Sequence, residues 1–237
     1  MTIRASVDER ADVSVVASAR VIATFALQHL KAAATFRDQV VAIEAVNAAT
    51  PFGEFFEDIR SYASASIMSA AAALEALINE MFITPEGRLR PLLHNFDIDF
   101  WDDRQGIERL PPLKKYQRAL SMLGKPQLNT SSAAYRSASG LVELRNALVH
   151  FKPSWDPDRR RKVEMVETLS GMYQLSPFVG EGSDFVTMRS MSSGCSAWAV
   201  STVVAFLREF DSLAQLDDHK MSAFWRFEES DRQQANP

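Results

Sequence analysis

Residues 62–82 read YASASIMSAAAALEALINEMF, and this stretch decides the fold class of the chain. It contains no glycine or proline and is rich in alanine, the residue with the highest helix propensity. Its apolar residues recur at spacings of three and four, the period of one helix face, at Ile67, Ala71, Leu74, Ile78 and Met81. The pattern predicts a helix from Tyr62 to Phe82 with one face in a hydrophobic core.

Other stretches of the chain also have helical character. The predicted helices are Asp12–Ala48, Leu113–Leu123, Ser132–His150, one that opens at Asp156-Pro157, and Ser196–Leu216. The apolar residues expected to be buried are Val16, Ala23, Leu27, Leu30, Ala34 and Val41 in the first helix, Leu141, Leu144, Leu148 and Phe151 along Ser132–His150, and Trp198, Val200, Val204, Leu207 and Phe210 in the last. Segments 84–112 and 175–193 are aperiodic and are predicted as loops. We therefore expect an all-α helical bundle, divided into an N-terminal helical extension (1–60), a helical domain (61–225) and a polar tail (226–237).

Composition narrows the class of protein. The chain has 237 residues, of which 46% are hydrophobic and 24% charged, as in ordinary globular proteins. A single cysteine, Cys195, excludes an intramolecular disulfide, and the N-terminal sequence lacks the pattern of a signal peptide. Charged residues interrupt the apolar stretches before they reach the roughly 20 residues that span a bilayer. We expect a cytoplasmic protein that does not insert into a membrane.

Charge is unevenly distributed along the chain. The net charge of −4 argues against a surface that coats nucleic acids without regard to sequence. Between residues 136 and 164, however, seven basic residues stand against four acidic ones. This stretch is therefore a local basic segment in an acidic protein.

The basic segment contains RNALVH, residues 145–150. The Arg145 guanidinium is suited to hold a phosphate and the His150 imidazole to move a proton, which metal-free cleavage of RNA requires. In an ideal helix the two residues lie about 140° apart, so at this spacing the pair is usually accidental. Pro153 predicts that the helix ends at or just after His150, where the histidine has room to turn toward Arg145.

Neighbouring polar residues have both structural and functional interpretations. Arg145 lies at the border of the apolar stripe of its helix, which suits a ligand-binding arginine or an ion pair with Glu75 or Glu143. Glu75 and Asn79 lie one turn apart, as on a solvated helix edge or in a supporting role. The cations near the motif are either a solvated face or phosphate contacts: Lys152, Arg159, Arg160, Arg161 and Lys162.

Motifs for other chemistries are missing from the sequence. The four histidines lie far apart and no HExxH or Cys/His spacing occurs, so no metal site is predicted. There is no GxxxxGK, GxGxxG or GxSxG, and Cys195 has no neighbouring base in the sequence. We therefore predict no cofactor, and RNALVH remains as the candidate site.

The arrangement resembles the HEPN superfamily (higher eukaryotes and prokaryotes nucleotide-binding), helical proteins marked by an arginine followed four to six residues later by a histidine. Arg145, Asn146 and His150 match that motif, including the polar residue after the arginine. SAAAALEALINEMF (69–82) resembles the first core helix of many members, with Glu75 and Asn79 at its acidic and amide positions. GCSAWAVSTVVAFLREF (194–210) resembles the closing helix. The resemblance covers residues 62–216.

The resemblance implies a metal-independent endoribonuclease that acts as a homodimer, with two copies of the motif meeting across the interface. In such an enzyme His150 is the general acid or base, Arg145 neutralises charge on the phosphorane, and Asn146 orients the phosphate or the histidine. Glu75 holds Arg145 in place. RNA is then the substrate, and family analogy suggests a toxin or antiviral defence setting.

Two alternatives remain open. The chain is either a non-catalytic helical module that binds a nucleotide or a protein partner, or an enzyme kept silent by an antitoxin or sensor protein encoded elsewhere. Cyclic-phosphate ends on RNA incubated in EDTA distinguish an enzyme from a module.

Overall fold

The structure is a computed structural model that describes residues 23–84, 106–152, 160–216 and 221–227. Within these ranges the chain forms helices and connecting turns without any strand, so the predicted all-α fold is confirmed. The helices are α1 (Ala26–Val46), α2 (Phe55–Ile83), α3 (Pro112–Met122), α4 (Ala133–Val149), α5 (Arg160–Leu169) and α6 (Ser193–Ala214). A 3₁₀ turn at Ile107–Arg109 precedes α3, and a π-helical turn at Phe185–Arg189 precedes α6.

Helix α2 is the central element of the bundle and packs against α1, α3, α4 and α6. All five apolar residues of its predicted stripe are buried. The helix begins at Phe55 instead of Tyr62, because Phe56 and Ile59 extend the same buried face toward the N-terminus. Glu57 and Asp58 in its first turn suit the positive end of the helix dipole.

Helix α1 belongs to the same core, which changes the predicted domain organisation. It packs on α2 and α6, and the buried Ser66 hydroxyl of α2 donates a hydrogen bond of 2.8 Å to the Ala33 carbonyl. Helix α2 also runs through the expected boundary at residue 60. The described part of the predicted extension, residues 23–60, is therefore an integral layer of the bundle. The predicted helical residues 12–22 lie outside the described residues.

The buried face of α1 differs slightly from the prediction. Leu30 and Ala34 are buried as expected and Leu27 is partly buried, whereas Ala23 and Val41 are exposed and Val40 is buried instead. Arg37 also lies on the buried face and pairs with Asp38 at 2.9 Å. Alanine and valine lie on more than one side of α1, so its own sequence does not define a single apolar face. Packing against α2 determines which side is buried.

Carboxylates from neighbouring helices cap two helix N-termini. Glu80 of α2 accepts hydrogen bonds from the backbone N–H groups of Phe25 and Ala26, at 2.5 and 2.9 Å. Glu44 of α1 accepts the backbone N–H of Ser193 at 2.9 Å and also its hydroxyl. These contacts satisfy donors that a helix leaves unpaired at its start, and they join α1, α2 and α6 through polar groups.

Several predicted loops and helix ends lie partly outside the described residues. The structure does not describe residues 85–105 and 153–159. The predicted cap Asp156-Pro157 lies in the second of these ranges. The predicted loop 175–193 contains the π-helical turn. Residues 222–227 are helical, and the described end of the chain reaches two residues, 226 and 227, into the predicted polar tail.

By length and composition alone, α2 is the one helix of the described residues that meets the requirements for a membrane span. The expectation that the protein does not insert into a membrane stays a prediction. More than half of its most apolar stretch is buried against the other helices of the bundle. Packing in the core accounts for its apolar composition.

Candidate functional site

Helix α4 carries the RNALVH motif, and a capping residue and buried leucines hold the helix in the bundle. The Ser132 hydroxyl caps its N-terminus by accepting the Tyr135 N–H at 3.1 Å and donates to Glu209 of α6 at 2.9 Å. Leu141 and Leu144 are fully buried. The helix ends at Val149, as Pro153 predicted, so the motif occupies its last turns.

Arg145 forms an ion pair with Glu75 of α2, one of the two partners expected from the sequence. Its Nη2 atom lies 2.9 Å from Glu75 Oε2. The side chains are 24% and 38% exposed, so both lie at the predicted border of core and solvent. A guanidinium has five N–H donors, and the contact through Nη2 leaves it able to bind a second acceptor such as a phosphate.

Asn79 lies one helical turn after Glu75 and contacts a residue that sequence reasoning missed. Its Oδ1 atom accepts a hydrogen bond of 2.8 Å from the Nζ atom of Lys115. Lys115 is 1% exposed although it carries an ammonium group. Helices α2, α3 and α4 therefore meet at one polar cluster, which we define as Glu75, Asn79, Lys115 and Arg145.

The position of Lys115 follows from the packing of α3. The next residue, Tyr116, donates from its hydroxyl to the buried Leu74 carbonyl at 2.8 Å. Its ring also makes edge contacts with Phe206 and Phe210 of α6. Pro112 and Ala119, three residues before and four after Lys115, are buried, and this flanking pattern is the sequence signal that marks the lysine as core-facing.

The electrostatics of Lys115 reflect its burial. Withdrawal from water lowers the pKa of its ammonium group below the usual 10.5, and the negative charges of Glu75 and Glu108 raise it in part. The Tyr116 pKa is raised well above 10.0 by burial and by Glu80, so this phenol stays protonated at neutral pH. The cluster thus contains two cations that interact with the same carboxylate, Glu75.

His150 lies at the end of the motif helix with an exposed side chain. Its backbone N–H donates to the Asn146 carbonyl at 3.0 Å, and the residue is the C-cap of α4, whose own backbone angles are no longer helical. Within the described residues no hydrogen bond joins His150 to Arg145. The turn of the histidine toward Arg145 stays a prediction, and ideal helix geometry places the two residues about 140° apart around α4.

Apolar side chains flank His150 at the surface. Val149 is 52% exposed and Phe151 is 41% exposed. Phe151 was predicted to continue the buried stripe of α4, but it follows the last helical residue and so leaves that face. His150 is therefore next in sequence to two exposed apolar residues at the end of α4.

The basic residues predicted as phosphate contacts are only partly within the description. Lys152 is exposed, two residues after His150. Arg160, Arg161 and Lys162 form the first turn of α5, whose side chains, like all of Arg159, lie outside the described residues. A groove of about 380 Å³ between α5 and segment 181–186 contains none of the predicted site residues.

The described ranges also bear on two other kinds of site, a cysteine nucleophile and a metal site. Cys195 is fully buried, and burial raises the pKa of its thiol, so a thiolate nucleophile is disfavoured. Residues 23–84, 106–152, 160–216 and 221–227 contain no group of three or more histidine, cysteine, aspartate or glutamate side chains placed to hold a metal.

Comparison of the chain with models of known families, with curated proteins and with solved structures gave no match.

Proposed function

We propose that this protein is a metal-independent endoribonuclease of the HEPN type that acts on RNA as a cytoplasmic homodimer, in a toxin or antiviral defence setting. The observation that carries the proposal is the Glu75–Arg145 ion pair. It fixes a partly exposed guanidinium two turns or less from a helix end that presents an imidazole. Both chemical groups that metal-free RNA cleavage requires are thereby carried by one short segment.

The ion pair has a clear energetic reason to exist. Withdrawing a guanidinium partly from water without a partner costs free energy. Glu75 offsets this cost and limits the rotamers of Arg145. An arginine held in this way binds a phosphate with less loss of conformational entropy than a mobile one.

The reaction uses the ribose itself as the nucleophile. One imidazole accepts the 2′-hydroxyl proton as the 2′-oxygen attacks phosphorus, and a protonated imidazole gives its proton to the leaving 5′-oxygen. The P–O5′ bond breaks, leaving a 2′,3′-cyclic phosphate and a 5′-hydroxyl. Arg145 neutralises the negative charge that builds on the phosphorane, and Asn146 orients the phosphate or His150.

A homodimer provides the geometry that one protomer lacks. Arg145 and His150 are about 7.5 Å apart along the helix axis and about 140° apart around it. Two copies that meet through their motif ends bring the arginine of one close to the histidine of the other. The exposed Val149 and Phe151 beside His150 supply apolar surface for this contact.

The test is cleavage of assorted RNAs in EDTA, with the ends of the products analysed. We expect cyclic-phosphate ends from the parent protein. His150→Ala and Arg145→Ala should each lower the rate by about 10²–10⁴-fold, the usual contribution of such groups. Lys31→Ala, an exposed cation on α1, is the matched control and should cleave at the parent rate.

Two outcomes contradict the proposal. Cleavage by His150→Ala at the parent rate removes the histidine from the mechanism. Failure of the parent to cut any RNA favours the alternative, a non-catalytic module that binds a nucleotide or a protein partner.

A further inference from the structure

Lys115 is a buried cation that the proposed reaction does not use. Its side chain lies between α3 and α2 with 1% exposure, and its Nζ atom donates to Asn79 Oδ1 at 2.8 Å. Taking an ammonium group out of water costs several kcal/mol after relaxation of the protein.

An apolar residue would meet the packing requirement of this position at less cost. Buried charges replaced by well-packed apolar side chains often leave stability unchanged or raise it. The fixed neighbour Tyr116, with its hydrogen bond to Leu74 and its ring contacts, already anchors α3. The charge at position 115 therefore calls for an explanation other than helix packing.

The surroundings of Lys115 supply that explanation. Asn79 and Glu75 are one turn apart on the same side of α2, and the ammonium group attracts the Glu75 carboxylate. Glu75 in turn contacts Arg145 at 2.9 Å. Two cations from different helices, α3 and α4, thus act on one carboxylate.

We infer that Lys115 is a positioning residue: through its bond to Asn79 and its attraction for Glu75, it fixes the carboxylate that orients Arg145 toward the phosphate. This inference rests on the proposed function, since positioning matters for catalysis only if Arg145 contacts substrate. Lys115 itself touches neither substrate nor reacting atoms.

The experiment uses Lys115→Met, which keeps the apolar stem and removes the charge. Steady-state cleavage of RNA in EDTA should show kcat lowered at least 10-fold with KM changed less than threefold, because a displaced guanidinium chiefly affects the transition state. The thermal midpoint should stay at or above that of the parent. Lys114→Met, an exposed neighbour on α3, is the matched control and should leave kcat unchanged.

A second readout does not depend on cleavage. In ¹⁵N NMR spectra a held guanidinium gives separate Nη signals for Arg145, whereas a rotating one gives averaged signals. We expect separate signals in the parent and averaged ones in Lys115→Met, with Glu75→Gln as the reference for a released arginine. Asn79→Leu breaks the same link from the other helix and should give the same result if Lys115→Met does not fold.

The outcomes separate the two proposals. Unchanged kcat and unchanged Arg145 signals in folded Lys115→Met or Asn79→Leu overturn the positioning role while leaving the nuclease intact. If the parent cleaves no RNA, the nuclease proposal fails, and the NMR result alone decides whether Lys115 positions Arg145.

Discussion

Lys115, Arg145 and His150 differ in how far each side chain is withdrawn from water. Lys115 is buried, Arg145 is at the border of the core, and His150 is exposed at a helix end. This gradient matches the roles proposed for them, from positioning, through phosphate binding, to proton transfer. A group that moves protons needs access to substrate, whereas a group that orients another works best where its own motion is restricted.

Lys115 should make the free energy of unfolding depend on pH in the alkaline range. Its pKa is lowered in the folded state, so the unfolded chain binds more protons between that lowered value and 10.5. The free energy of unfolding should therefore rise with pH across this window, as the buried amine loses its costly charge. Lys115→Met lacks this term, so the stability advantage of the variant over the parent should shrink as pH rises.

Urea denaturation at pH values from 7 to about 10.5 measures the difference in free energy of unfolding between the parent and Lys115→Met. The titration of groups that both proteins share cancels in this difference. Tyr116 does not interfere, because its pKa is raised well above 10.0. A difference between parent and variant that stays constant with pH contradicts the prediction. Glu75 and Glu108 are the carboxylates whose negative charges act on the amine.

At the scale of elements, the start of α6 lies in close contact with the segment that precedes it. The Ser192 hydroxyl donates to the Gln174 carbonyl at 2.7 Å, and the backbone of Gln174 lies against Gly194. A Cβ atom at position 194 would lie 2.7 Å from the Gln174 carbonyl oxygen and 2.8 Å from its Cβ atom. A glycine is needed here because of this close approach.

Gly194→Ala should therefore destabilise the fold, by about 1–3 kcal/mol, the usual cost of overpacking a rigid site. Urea unfolding measures the change. Gly180→Ala is the matched control, since no atom lies within 4 Å of its added Cβ atom, and its effect should stay within about 0.5 kcal/mol. Equal effects of the two substitutions would show that the loop moves away from α6 without cost.

At the scale of the whole molecule, the exposed apolar side chains are not concentrated at one place. Val149 and Phe151 flank His150, whereas Val46, 83% exposed, lies at the end of α1. The proposed dimer uses the first pair. Association of two copies there joins the motif ends, and a charge placed between them would be desolvated without a partner.

Val149→Asp should therefore weaken the dimer at least 10-fold, and RNA cleavage per chain should fall in parallel as the protein is diluted. Sedimentation equilibrium measures the first effect and initial rates the second. Val46→Asp carries the same change of charge at the end of α1 and should behave like the parent. A parent that is monomeric at the concentrations where it cleaves RNA contradicts the dimeric site.

The local features of this fold were predictable because helical periodicity is visible in neighbouring residues. The buried stripe of α2 and the end of α4 before Pro153 followed from spacing and from proline geometry. The exposure of Phe151 and the buried face of α1 were not predicted correctly. Alanine-rich and terminal residues leave the choice of buried face to the partner helix.

The candidate site was predictable in part. The Glu75–Arg145 pair was one of two pairings that the border position of the arginine allowed, and the structure has it. Pro112 and Ala119 mark the face of Lys115 as buried, but Lys115 was missed because its pairing with Lys114 resembles a solvated face. None of the eleven residues of α3 predicts that Lys115 will contact the Asn79 amide on α2.

The sequence by itself determined that the chain forms helices, which faces of α2 and α6 are apolar, and where the motif helix ends. Only the tertiary structure decided that Lys115 meets Asn79, that Glu75 holds Arg145, and that α1 is a layer of the core. The physical reason is range: propensity and periodicity act between residues a few positions apart. Contacts across 36 or 70 positions depend on how the finished helices pack.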